Sequence, residues 1–104
     1  MTINNLKISD ERLRNICQKY LVKELAVFGS TLTSDFRNDS DIDLLYTFHE
    51  KAEHSLFSKV RIKAEIEELF GRPVDLISRR AIENSRNLYK RKAILENLKI
   101  IYAA

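Results

Sequence analysis

Ala26-Val27-Phe28-Gly29-Ser30 is followed, after ten intervening residues, by Asp41-Ile42-Asp43-Leu44-Leu45, and these two runs set the architecture. The first run is apolar up to a glycine, which predicts a short buried strand over residues 25–28 that stops where Gly29 frees the backbone. The second alternates polar and apolar over Asp41-Ile42-Asp43-Leu44, and predicts another strand over residues 41–48. Between them, residues 30–36 have room for one or two helical turns. Arg37-Asn38-Asp39-Ser40 is turn chemistry.

Upstream, Ser9 can cap a helix that has Asp10 and Glu11 in its first turn, where the helix dipole favours anions. Leu13, Ile16, Cys17, Tyr20 and Leu21 then recur at helical spacing, to about Val22. Cys17 lies on that apolar stripe and reads as core packing, not as a nucleophile. Downstream, residues 54–70 form the longest helical pattern. Ile62, Ile66, Leu69 and Phe70 make its stripe, with Leu56, Val60 and Ala64 beside it. Gly71 and Pro73 suit the end of that helix. A third strand follows over residues 74–77 with Asp75 in its middle. A last helix is expected over residues 85–97 with Leu88, Leu95 and Leu98 inward, and residues 99–102 as an extended tail. The order αβαβαβα, with no internal repeat, predicts one small α/β domain over residues 1–104, a mixed β-sheet flanked by helices.

Composition bounds what such a domain does. Hydrophobic residues make up 44% and charged residues 32%, a globular balance that argues against disorder. No run approaches the roughly 20 apolar residues of a membrane span, and the N-terminus lacks the apolar core of a signal peptide. A cytoplasmic protein is expected, and one cysteine suits a compartment without disulfides. The net charge of +3 favours anionic partners slightly, and the run Lys90-Arg91-Lys92 reads as a solvated helix face. His49 and His54 read as surface residues flanking a loop. Tyr20, Tyr46, Tyr89 and Tyr102 read as packing residues before self-modification sites.

Asp41 and Asp43 are out of place on a buried strand. Two residues apart, they share a face with their Cα atoms about 7 Å apart. Carboxylates so placed repel and raise each other's pKa unless a cation lies between them. Mg²⁺ fits, because it takes oxygen ligands and commonly binds through one or two carboxylates plus substrate phosphates. Asp75 repeats the anomaly within Val74-Asp75-Leu76-Ile77, where aspartate has poor strand propensity. If the third strand neighbours the second, three acids meet on one face. That arrangement favours a metal-dependent phosphoryl-type centre over a salt-bridge network. Gly29-Ser30, a strand end leading into a short helix, offers N–H groups and a hydroxyl to an anion such as a triphosphate. An EF-hand loop from Asp39 to Glu50 is excluded by Leu44, which occupies the position where that loop turns on glycine.

With Gly29-Ser30, Asp41-x-Asp43 and Pro73-Val74-Asp75-Leu76 in this order, the chain resembles the nucleotidyltransferase superfamily, with its polymerase-β-like fold. Within it, the sequence is similar to the minimal prokaryotic branch. The resemblance spans about residues 10–102 and is specific between 25 and 77. It implies nucleotidyl transfer assisted by two Mg²⁺ ions, with ATP as substrate. Asp41 and Asp43 would hold ions that bridge the triphosphate. Asp75 would ligate the second ion and help deprotonate the acceptor hydroxyl. Gly29 and Ser30 would cradle the β- and γ-phosphates. The segment 31–37 departs from the arginine- and glycine-rich pattern frequent in relatives, since Arg37 is its only basic residue. Lys59, Arg61 and Lys63 are candidates to compensate.

The minimal branch also implies a partner. It resembles the antitoxin half of a toxin–antitoxin pair, in which AMP passes from ATP to a tyrosine of an all-helical HEPN ribonuclease toxin. The length leaves no room for a separate acceptor-binding domain, so a protein acceptor is expected, in a hetero-oligomer with the toxin. Direct binding of nucleic acid is not expected. The alternatives are a non-catalytic antitoxin that acts by contact, and a small-molecule nucleotidyltransferase completed by a partner subunit.

Overall fold

The computed structural model describes residues 1–52 and 55–104. The chain runs through β1 (Thr2–Ile3), β2 (Leu6–Lys7), α1 (Asp10–Lys19), β3 (Val22–Phe28), a 3-10 turn (Gly29–Leu32) and β4 (Ile42–Phe48). It continues through α2 (Leu56–Phe70), β5 (Val74–Ser78), α3 (Arg79–Glu83), α4 (Leu88–Leu95) and β6 (Lys99–Ala103). The main sheet has four strands in the order β5-β4-β3-β6. β3 runs antiparallel to β4 and β6, whereas β4 and β5 are parallel. That parallel pair needs a crossover, and α2 supplies it. A mixed sheet flanked by helices is the fold expected from the sequence.

Strand alternation sends the two sets of side chains into different layers. Leu25, Val27, Ile42, Leu44, Val74 and Leu76 enter the larger core with Leu13, Ile16 and Cys17 of α1 and Ile62, Ile66, Leu69 and Phe70 of α2. Ala26, Phe28 and Leu45 form a smaller core with Ile82 of α3, bordered by the half-buried Ile77, Ile94, Leu95 and Leu98. Asp43 and Asp75 alternate with the first set. They therefore belong to the second, thinly covered face, at the end of the sheet where β3 finishes and β4 and β5 begin.

Caps behave as the sequence indicates. The Ser9 hydroxyl accepts from Arg12 N–H, and Gly71 ends α2 in the left-handed conformation with φ 68°. Cys17 is fully buried, and burial pushes its thiol up to about 12. It stays protonated in the core.

Several expectations need correction. Leu21, at φ 55°, turns the chain sharply after Tyr20, so α1 ends earlier than its apolar periodicity suggests and Val22 opens β3. Asn4 and Asn5, both at positive φ, make the tight turn of an N-terminal hairpin that the sequence pattern of residues 1–8 does not predict. The extended tail is a full strand, β6, paired to β3. The expected last helix is α4, shorter at both ends and capped by Asn87, and a further short helix, α3, capped by Ser78, precedes it where no element is expected. Leu88 is exposed, as are Leu56, Val60 and Ala64; a helix packed on one side leaves residues beside its stripe in solvent. Tyr89 is 90% exposed, unlike the half-buried Tyr20, Tyr46 and Tyr102. His49 is exposed, and His54 lies outside the described residues.

Candidate active site

The sheet places the three aspartates at one strand end. Asp41 is exposed one residue before β4, and Asp43 is half-buried within β4. Asp75, exposed on β5, is the register partner of Asp43 across the parallel pair. Adjacent strands lie about 4.8 Å apart, and like charges directly opposite are destabilising. The electrostatics record this crowding. Burial pushes the Asp43 carboxyl above its ordinary value, and the charges of Asp75 and Asp41 add to the rise.

Gly29 explains how so much charge fits. Its φ of 67° suits glycine, and a Cβ there would lie 2.6 Å from Asp43 Oδ2. The backbone after β3 thus comes against the carboxylate with no room for a side chain. Ser30 follows, exposed, in the 3-10 turn. This turn is shorter than the expected helical segment. Like any helix start, it leaves its leading N–H groups without partners inside the helix. A cleft of about 540 Å³ opens beside it, lined by Gly29, Leu32, Thr33, Glu96, Asn97 and Leu98. Its size is in the range of small-ligand sites.

Two positioning residues carry no sequence signal. Thr31 is fully buried, and its Oγ1 accepts from Asp43 N–H at 3.1 Å. Asn4, in the N-terminal hairpin, donates from Nδ2 to the carbonyls of Thr31 (3.2 Å) and Thr33 (2.8 Å). The hairpin thereby fastens the turn that holds Asp43. A buried threonine and a turn asparagine are ordinary in type, and only tertiary contact reveals their task. By contrast Lys59, Arg61 and Lys63 ride on α2, which covers the opposite face of the sheet.

Oxygen donors gathered on one strand end, one carboxylate with its pKa raised by burial and then by the other two, suit a hard divalent cation. Among the described residues no three His, Cys, Asp or Glu side chains close into a ready coordination sphere. A cation there would need further ligands, as Mg²⁺ takes when substrate phosphates complete a shell begun by one or two carboxylates.

The fold is that of a nucleotidyltransferase, and comparison with known proteins shows the family. The nucleotidyltransferase domain family matches residues 10–101. The chain belongs to this family. It is 36% identical over 81 residues to a Methanocaldococcus jannaschii protein named provisionally as protein adenylyltransferase MJ1217, covering 78% of each. It superposes on a candidate minimal nucleotidyltransferase with a TM-score of 0.66 and 31% identity, covering 86% of both chains. A chain in the complex of tri-AMPylated Shewanella oneidensis HEPN toxin with MNT antitoxin shares the fold at a TM-score of 0.56 and 10% identity. That match covers 91% of this chain and 70% of the other.

Proposed function

We propose that this protein is a protein adenylyltransferase that moves AMP from ATP to a tyrosine of a partner HEPN ribonuclease toxin, and so acts as its antitoxin. The observation that carries this reading is Asp43, held between Asp41 and Asp75 and against the side-chain-free backbone of Gly29. Residues 1–104 act as one domain in this reading, in the cytoplasm. Among the described residues no helix is long and apolar enough to cross a membrane.

Asp41, Asp43 and Asp75 would hold Mg²⁺, which when bound neutralises phosphate charge and orients the triphosphate. Gly29 and Ser30 bind the β- and γ-phosphates through backbone N–H groups and the serine hydroxyl. The cleft beside Gly29 receives the nucleoside, which leaves the α-phosphate facing the acids. The tyrosine oxygen bonds to the α-phosphorus as the bond to pyrophosphate breaks. Asp75, exposed at the edge, takes the phenolic proton. The sequence relative named as a protein adenylyltransferase and the AMPylated toxin complex of the same fold support a protein acceptor. An anionic nucleotide beside an RNA-cleaving site would block it and repel RNA phosphate.

The test is to co-express the chain with a HEPN partner and map the partner's tyrosines by peptide mass spectrometry. AMP on a partner tyrosine, absent when Asp41 and Asp43 are both replaced by Asn, is the expected result. A partner that is neutralised yet unmodified would leave a contact antitoxin. Modification of a small hydroxylated compound in place of the partner would make the chain a small-molecule enzyme.

A further inference from the structure

We propose that Arg72 is a positioning residue that fixes the backbone leading into Asp41 and thereby sets the cation affinity of the acid cluster. This rests on the metal-site reading above. Arg72 stands between the end of α2 and β5, far in sequence from the acids of β4. Its guanidinium lies over the ring of Phe36, with Cζ 4.2 Å from the centroid. Its Nη2 donates to the carbonyl oxygen of Arg37 and, at 2.7 Å, to that of Ser40.

Those carbonyls bound the turn that ends immediately before Asp41. The turn's own bonds are local: Ser40 N–H donates to the Arg37 carbonyl at 3.1 Å, and Arg37 N–H to Ser40 Oγ at 2.9 Å. Local bonds shape a turn without anchoring it. Arg72 supplies the anchor on one side of Asp41. On the other, Ile42 N–H donates to the Pro73 carbonyl at 3.0 Å. Two successive residues, Arg72 and Pro73, therefore hold the chain on either side of Asp41.

Arg72 is used in an unusual way. Among the described residues it forms no ion pair, and its buried Nε finds no acceptor. An unmade buried hydrogen bond is costly. A planar fork that stacks on a ring while reaching two carbonyls cannot be copied by the point charge of lysine. The arrangement is understandable where loop position matters more than pairing every donor.

The test is Mn²⁺ titration of the full chain by calorimetry, comparing wild type with Arg72→Met, Arg72→Lys and Phe36→Leu. Ile66→Val, a core truncation remote from the loop, is the stability control. Outer-sphere residues of metal sites typically change affinity by about tenfold or more, and that loss is expected for Arg72→Met. Arg72→Lys should recover only part of it, Phe36→Leu should show a smaller loss, and Ile66→Val should keep wild-type affinity. Wild-type affinity in Arg72→Met overturns the proposal, as does an equal loss in Ile66→Val. Should Arg72→Met not fold, unchanged affinity in both Arg72→Lys and Phe36→Leu overturns it. Absence of Mn²⁺ binding by wild type overturns the metal-site reading, and this proposal with it.

Discussion

Gly29 and Gly71 share nearly the same left-handed backbone, φ 67° and 68°, and differ in what surrounds them. A Cβ at Gly71 meets nothing within 4 Å, whereas at Gly29 it would press on Asp43 Oδ2. Gly71→Ala is therefore expected to cost about 1 kcal/mol, the penalty of a left-handed L-residue, and to leave nucleotidyl transfer intact. Gly29→Ala incurs the same backbone penalty and also displaces a site carboxylate, so transfer should fall at least tenfold, a loss of about 1.4 kcal/mol. Urea unfolding alongside a transfer assay separates the two effects, and a fully active Gly29→Ala would contradict the packing described. At this scale the sequence was most informative about residues out of character. Aspartates on apolar strands and two glycines in a glycine-poor chain announce themselves. Thr31, Asn4 and Arg72 do not, because their partners lie 12 to 35 residues away in the chain.

Among elements, α1, α2, β3, β4 and β5 were legible because each carries a full apolar period. The N-terminal hairpin was not, and β6 was legible only as an extended tail, without its pairing. β1 and β2 are two residues each, too short for a pattern, and β6 is a strand by virtue of its pairing with β3. The unanticipated α3 and the overlong span expected for α4 have a related cause. α4 has no buried residue, so its inward positions give only a weak stripe. Elements with few buried contacts open first. The amides of α4 are thus expected to exchange with deuterium well before those of α2, whose Ile62 and Ile66 are essentially inaccessible. Exchange followed by mass spectrometry should show this order; equal protection of the two helices would contradict it.

For the whole molecule, the acid cluster carries an electrostatic cost that depends on pH. A carboxyl whose pKa is raised on folding contributes stability below its unfolded value, 3.8 for Asp43, and loses that contribution as pH rises through the folded value. At neutral pH the ionised Asp43 therefore opposes folding. Asp43→Asn is expected to gain thermal stability relative to wild type as pH rises from about 4 to about 7. Added Mg²⁺ should stabilise wild type and narrow the difference, since a ligand that binds only the folded state stabilises it. Melting curves of both proteins across that range, with and without Mg²⁺, make the comparison. A wild type more stable than the variant at neutral pH without cation would contradict it.

The proposal stands or falls on incubating the chain with Mg²⁺, a candidate HEPN partner and ATP labelled at either the α- or the γ-phosphate. Transfer of AMP requires label on the partner from the α position alone, lost in the Asp41→Asn/Asp43→Asn variant. Label from the γ position, or α-label that persists in the variant, would contradict nucleotidyl transfer at these aspartates.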